Sequence, residues 1–119
     1  MQIDKKVRRE KRKKRVRKYI IGTAIRPRLS VRFSGKHIYA QCVNDEVGST
    51  LVFLSTLAKE AKAQKAIANV AGASFLGKMF GEKAISFGIK QVVFDRGGRK
   101  YHGCIQSFAD AVRGAGLLF

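Results

Sequence analysis

Two segments in the first half of the chain alternate hydrophobic and polar side chains with a period of two residues. The segments are 29–33 and 37–43, and a short Ser-Gly-Lys stretch separates them. This period indicates strands with one buried face, and two such strands joined by a tight turn predict a β-hairpin. The predicted inward set is Leu29, Val31, Phe33, Ile38, Ala40 and Cys42, and the predicted outward set is Ser30, Arg32, His37, Tyr39 and Gln41.

The pattern continues as a third strand followed by a helix. Residues 44–48 are typical of a turn, and residues 49–54 predict the strand. Helical spacing of apolar residues begins at Leu76 and stops at Gly88, a natural helix end. Between these elements, residues 57–68 are rich in Ala and Lys, which suits either a helical turn or a linker.

The end of the chain repeats the order of strand and helix. The short apolar run 92–94 suits a buried strand, and Ile105, Phe108 and Val112 share one face of a helix that ends near Gly116. Strand, helix and strand in succession favour a right-handed crossover with parallel pairing. The predicted fold class is therefore α/β, a mixed sheet with an antiparallel meander plus a parallel strand and two packed helices.

Three glycines lie in or just before the first predicted helix. Gly72, Gly77 and Gly81 each lower helix propensity, because glycine loses more backbone entropy than other residues. A glycine also lets another backbone approach closely. We interpret the three as sites where the helix packs tightly onto the sheet.

Charge indicates the kind of partner. The 119 residues carry 25 Lys and Arg against 8 Asp and Glu, a formal net charge of +17. A compact chain with this charge repels itself, which favours nucleic acid as partner and an anionic membrane surface as the second candidate.

The charge is concentrated at the start of the chain. Residues 1–18 hold 11 basic and 2 acidic side chains and no continuous apolar face. We predict a basic RNA-binding arm at residues 1–25 and a globular α/β RNA-binding domain at residues 26–119, a solvated tail being the alternative for the arm. The predicted contacts in the arm are Lys5, Lys6, Arg8, Arg9, Lys11, Arg12, Lys13, Lys14, Arg15, Arg17 and Lys18.

A second predicted RNA surface is the polar face of the hairpin. Basic and aromatic side chains alternate there, as they do in sheet-based RNA binders, and an ordinary solvated face is the alternative. The predicted contacts are Arg26, Arg28, Arg32, Lys36, His37, Tyr39 and Gln41.

The third predicted surface is the loop FDRGGRKYHG at residues 94–103. It leaves the carboxyl end of a strand and enters a helix, where backbone N–H groups and the helix dipole favour anions. Its glycines allow close backbone approach, and its basic residues add full charges. The predicted contacts are Arg96, Gly97, Gly98, Arg99, Lys100, Tyr101 and His102, with Asp95 accepting N–H bonds in the turn or orienting Arg96 or Arg99.

Catalysis and metal binding have little support in the sequence. Two-metal hydrolysis needs several converging carboxylates, and near this loop the sequence offers Asp95. The two cysteines, Cys42 and Cys104, and the two histidines have no metal-type spacing, so we predict no metal and no cofactor and two thiols in a reducing compartment. We also expect no membrane span and no small-molecule substrate. Two alternatives stay open, a small RNA-processing enzyme using Asp95 and His102 and a free-standing nonspecific nucleic-acid-binding protein.

Several stretches resemble one family. They are RPRLSV at residues 26–31, KHIYAQ at 36–41, GI at 88–89 and VVFDRGG with KYHG at 92–103. Together with the closing residues they resemble the ribosomal protein L18 family of the large subunit, from about Arg26 to Phe119 and with a basic arm before it as in bacterial members.

The resemblance implies a mixed α/β fold and a structural, non-catalytic role. It implies binding to 5S rRNA, its attachment to the large (23S-type) rRNA in the central protuberance, and contacts with neighbouring ribosomal proteins. It implies a cytoplasmic ribosome and leaves an organellar ribosome open. The chain departs from the family pattern at three places: Arg32 and Phe33 stand in reversed order, Arg99 replaces a common aromatic residue, and Cys104 replaces a common Arg.

Overall fold

The chain folds around the predicted hairpin. The structure is a computed structural model that describes residues 21–57, 68–95 and 103–119. Strand β1, Arg28–Ser34, pairs antiparallel with β2, His37–Asn44, across a turn in which Gly35 has φ +53°. Ile38 and its alternate neighbours on β2 are buried, which confirms the alternation read from the sequence.

Two further strands complete one sheet. Strand β3, Ser49–Ser55, pairs antiparallel with β2, and the register shifts between Cys42 and Val43. Strand β4, Val93–Asp95, pairs parallel with β1 on the opposite side, so the strand order is β3-β2-β1-β4. The antiparallel meander with one parallel strand confirms the predicted mixed sheet.

In the described part of the chain, two helices cover the inner face of the sheet. Helix α1, Val70–Ser86, begins after Asn69, whose side chain accepts a 2.7 Å hydrogen bond from the Gly72 N–H. It therefore starts six residues before Leu76, where the apolar spacing became regular. Helix α2, Cys104–Ala115, ends at Gly116, which has φ +120°.

One hydrophobic core lies between the sheet and the helices. Phe80 of α1 and Phe108 of α2 pack with ring centroids 6.2 Å apart, and both are fully buried. Burying apolar surface of this kind is the main favourable term in folding. The other fully buried members of the cluster are Leu29, Ile38, Ala40, Cys42, Ala73, Leu76, Ala84, Val92 and Val112.

The glycines of α1 contact a different element from the one predicted. A Cβ added at Gly77 would lie 2.5 Å from the Phe108 carbonyl oxygen, and one at Gly81 would lie 2.6 Å from the Ala115 Cβ. Both neighbours belong to α2, so at these two positions close packing joins helix to helix and not helix to sheet. The prediction of close approach was right for Gly77 and Gly81, and the predicted partner was wrong.

The two edges of the sheet are covered differently. On β3, the Lys83 ammonium from α1 donates a 3.0 Å hydrogen bond to the Phe53 carbonyl oxygen. Near β4, Leu118 forms a parallel bridge with Gln91, and the ring of Phe119 stacks on Phe94 at 5.4 Å between centroids. The final residues of the chain thus extend the sheet beside β4.

Candidate nucleic-acid interface

The outer face of the sheet brings the predicted hairpin residues together. We define it by Ser30 and Arg32 of β1 with Tyr39 and Gln41 of β2. In the pairing register Ser30 lies opposite Gln41 and Arg32 lies opposite Tyr39. Directly opposite residues on paired strands point to the same face. The predicted grouping of these four side chains is confirmed.

Arg32 and Tyr39 form the centre of this face. The Arg32 guanidinium carbon lies 5.8 Å from the centroid of the Tyr39 ring, within cation–π range. Arg32 is exposed and Tyr39 is half-buried. A planar cation held above an aromatic ring can meet a phosphate by hydrogen bonds or a base by stacking.

Phe53 adds an aromatic ring that was not among the predicted RNA contacts. It lies opposite Gln41 in the pairing of β2 with β3 and is 52% exposed. An exposed ring on a polar sheet face is a platform on which a base can stack. The alternation of residues 49–54 contained this signal, because Phe53 falls between Val52 and Leu54, which are both buried.

His37 lies at the edge of the outer face, against the end of β3. Its Nδ1 is 3.0 Å from the Thr56 hydroxyl oxygen, and that hydroxyl also accepts a 3.1 Å hydrogen bond from the Ile38 N–H. Thr56 is buried, so its contacts fix the orientation of the imidazole ring. An RNA contact by His37 stays a prediction.

Arg26 and Lys36 extend the positive charge to both ends of β1. Both residues are exposed, Arg26 just before the strand and Lys36 in the hairpin turn. The seven residues of β1 span roughly 20 Å at about 3.3 Å per residue. The outer face is therefore flanked by one cation at each end of this strand.

Arg28 differs from the other basic residues because it is engaged by two carboxylates. Its Nε and Nη2 donate to Asp45 at 2.9 and 3.1 Å, and its Nη1 donates to Asp95 at 2.9 Å. The hydrogen bond to Asp45 raises the pKa of Arg28, burial opposes this rise, and the hydrogen bond to Asp95 adds to it. Its predicted contact with RNA stays a prediction.

Asp95 occupies a buried position at the end of β4. It is 1% exposed, and its carboxylate holds Arg28 from the neighbouring strand. The sequence predicted local partners for Asp95, whereas this partner lies 67 residues away in the chain.

Some predicted contacts lie outside the described residues. They are the loop contacts from Arg96 to His102 and the arm contacts from Lys5 to Lys18, and residues 58–67 of the predicted linker lie outside as well.

The described ranges contain His, Cys, Asp and Glu side chains and two helices. Within them, no group of three or more His, Cys, Asp or Glu residues is placed to hold a metal ion. Among the same residues, none of the helices has the length and apolar character needed to cross a membrane.

Burial raises the pKa of the Cys42 thiol to about 12, and Cys104 is a half-buried free thiol.

The fold and this face define a class of protein. Helices cover one side of a mixed sheet, while the other side presents a cation above an aromatic ring between two further cations. These features, on a chain of net charge +17, are those of a sheet-based RNA-binding domain.

The chain belongs to the ribosomal L18 family. It matches the family described as "Ribosomal L18 of archaea, bacteria, mitoch. and chloroplast" over residues 3–119. It is 54% identical over 117 residues to the large ribosomal subunit protein uL18 of Clostridium beijerinckii, covering 98% of this chain and 97% of the relative. The corresponding proteins of Pseudothermotoga lettingae and Prochlorococcus marinus (strain MIT 9515) are 53% and 47% identical, each over 98% of this chain and over 96% and 98% of the relative.

Membership in the family confirms the resemblance noted in the sequence and decides between the alternative functions left open there. The protein is a structural constituent of the large ribosomal subunit, and its partners are ribosomal RNA and ribosomal proteins. It is not an enzyme, so the hypothesis of an RNA-processing site at Asp95 and His102 is wrong. The hypothesis of a free-standing nucleic-acid-binding protein is wrong for the same reason.

Proposed function

We propose that this protein binds 5S rRNA and helps attach it to the large (23S-type) rRNA in the central protuberance of the large subunit. The observation that carries the proposal is the outer face of the sheet, where Arg32 lies 5.8 Å above the ring of Tyr39. Such a pair can engage phosphates and bases of a folded RNA at once. The relatives compared above come from bacteria, which supports a place in a cytoplasmic ribosome.

Three parts of the chain make different kinds of contact with the RNA. Residues 1–25 act as a basic arm that neutralises phosphates, because they hold most of the excess charge. The outer face and Phe53 read the shape of the RNA and stack on unpaired bases. Residues 96–102 cradle a phosphate with backbone N–H groups and basic side chains.

Competition binding tests the proposal. Fluorescently labelled 5S rRNA, transcribed from a bacterial gene, is bound to the full chain and displaced by unlabelled 5S rRNA or by mixed tRNA at one fixed salt concentration. We expect 5S rRNA to compete at least about tenfold better, since charge alone binds any RNA of similar size. Equal competition by tRNA would mean that the affinity is nonspecific and would contradict the proposal.

A second measurement separates stacking from charge. Phe53→Leu keeps the apolar surface and removes the aromatic ring, so it should weaken 5S rRNA binding with no change in the salt dependence. Val47→Leu is a matched control because Val47 is another exposed apolar residue, on the turn after β2. Equal affinity of the two variants would remove Phe53 from the interface.

A further inference from the structure

Arg28 is held by two carboxylates from different parts of the chain. Asp45 lies in the turn between β2 and β3, and Asp95 ends β4. All three donor nitrogens of the guanidinium are used, at 2.9 to 3.1 Å, and the side chain of Arg28 is 15% exposed. We call this group of Arg28, Asp45 and Asp95 the carboxylate clamp.

The clamp also fixes the segment that precedes β1. The Gly22 N–H donates a 2.7 Å hydrogen bond to the Asp45 carboxylate, and the Asp45 N–H donates a 2.9 Å hydrogen bond back to the Gly22 carbonyl oxygen. A Cβ added at Gly22 would lie less than 3.0 Å from both Arg28 and Val43. The chain at Gly22 is therefore fixed against the sheet by hydrogen bonds and by close packing.

The clamp joins two positions that lie in or next to the proposed RNA-binding segments in the chain. Gly22 lies in the last part of the arm, and Asp95 immediately precedes residues 96–102. Arg28 lies between them on β1, where its strand partner in β4 is Val93. The Arg28 side chain thus connects Gly22 of the arm, through Asp45, with Asp95 directly before the loop.

The charge of the clamp argues against a phosphate contact at Arg28. Its Nε, Nη1 and Nη2 all donate to carboxylate oxygens, so the hydrogen bonds of the guanidinium are already directed at two acids. A phosphate brought to this position would be repelled by both acids.

We propose that Arg28 is a positioning residue, which holds Gly22 and Asp95, described residues in the arm and next to the loop, against the sheet and so supports RNA binding without contacting RNA. The inference rests on the proposed function, because it takes those two segments as RNA contacts. A segment held in its binding direction loses less conformational freedom on binding. Breaking the clamp therefore weakens RNA binding although no RNA contact is removed.

A substitution that removes one negative charge tests the inference, because total charge and the clamp predict opposite changes in RNA affinity. Asp45→Asn removes a negative charge from a strongly basic protein, which by charge alone should tighten binding to RNA. The clamp predicts the opposite, a loss of about tenfold in affinity for transcribed 5S rRNA, because arm and loop lose their common anchor. Glu46→Gln is the matched control, since Glu46 is the next residue of the same turn and is exposed; it should leave affinity equal or slightly higher.

Arg28→Lys provides the second variant. Lysine keeps the positive charge but has no planar fork to hold two carboxylates. A phosphate contact that depends on charge alone would survive the change to lysine with little loss, whereas the clamp predicts a loss similar to that of Asp45→Asn. All affinities are measured on the full chain at a temperature where circular dichroism shows each variant folded.

The outcomes separate the inference from the proposed function. Weaker binding by both Asp45→Asn and Arg28→Lys, with Glu46→Gln near wild type, supports the clamp. Lower unfolding temperatures with unchanged affinity of the folded variants would make the clamp merely structural and overturn the inference. Tighter binding by Asp45→Asn would overturn it as well, while failure of the wild-type protein to prefer 5S rRNA would overturn the proposed function itself.

Discussion

At the scale of single residues, Arg32 is the cation of the outer face. It is exposed, lies opposite Tyr39 in the β1–β2 register and has its guanidinium above that ring. The ring limits the positions that the long side chain can take, so less side-chain entropy is lost when a phosphate binds. Arg32 is therefore expected to contribute more than an isolated surface cation.

Arg32→Ala should weaken 5S rRNA binding and lower the slope of log affinity against log salt by about 0.9, the value for one lost phosphate contact. Lys78→Ala removes the same charge from an exposed position on α1, and should change neither quantity by as much. Binding isotherms at four salt concentrations measure both quantities. Equal effects of the two substitutions would show that only total charge matters.

Cys42 should be unreactive in the folded protein. Burial raises its pKa to about 12 from the ordinary 9.0, and the thiolate is the reactive form. In the Cys104→Ser variant, iodoacetamide at pH 8 should label Cys42 only after denaturant is added. Mass spectrometry measures the labelling, and rapid labelling of the native protein would contradict the buried position.

The same shift gives a pH dependence of stability. Below about pH 9 the thiol is protonated in both the folded and the unfolded protein, so it adds no pH dependence. Between about pH 9 and 12 the unfolded protein releases this proton while the folded protein keeps it. The free energy of unfolding should therefore fall more steeply over that range in the wild type than in Cys42→Ala.

At the scale of elements, the contact between α1 and α2 depends on glycine. Gly77 and Gly81 let α1 approach the backbone of α2 more closely than any side chain would allow. This contact explains why a helix with three glycines forms without interruption from Val70 to Ser86. Tertiary packing compensates for the low helix propensity of these residues.

Gly77→Ala should destabilise the domain by about 1–3 kcal/mol, because the added methyl group would have to displace the Phe108 carbonyl and Ala111. Gly114→Ala is the matched control on α2, where an added Cβ has nothing within 4 Å. There the gain in helix propensity should stabilise the protein by up to about 1 kcal/mol. Urea denaturation of both variants measures the two free energies, and effects of the same sign would contradict the close helix contact.

The elements were more predictable from the sequence than the contacts between them. Strict alternation at residues 29–33 and 37–43 predicted the hairpin and its two faces, because only one register buries the apolar set. The pairing of Arg28 with Asp95 was not predictable, since it depends on how the crossover places β4 beside β1. The hydrogen bonds between Asp45 and Arg28 were not predictable for the same reason, because the sequence predicts only a turn at residues 44–48.

At the scale of the whole molecule, charge and core are separated along the chain. Residues 1–18 carry 11 of the 25 basic side chains, while the described core cluster begins at Leu29. Folding and RNA attraction are therefore expected to depend on different parts of the sequence.

Deletion of residues 1–18 should leave the domain folded and reduce its affinity for 5S rRNA. The salt dependence should also flatten, because fewer counterions are released when fewer phosphates are neutralised. Circular dichroism checks the fold, and binding at several salt concentrations checks the slope. Identical slopes for the full and shortened chains would show that the arm does not bind RNA.

The ammonium of Lys83 at the outer edge of β3 has a consequence for the protein before it meets RNA. An uncovered edge strand can recruit the same strand of another copy and start aggregation. Here a cation is bonded to the Phe53 carbonyl at that edge, so a second copy would have to displace it and bring like charges together. Lys83 is therefore expected to disfavour edge-to-edge pairing of two copies of the protein.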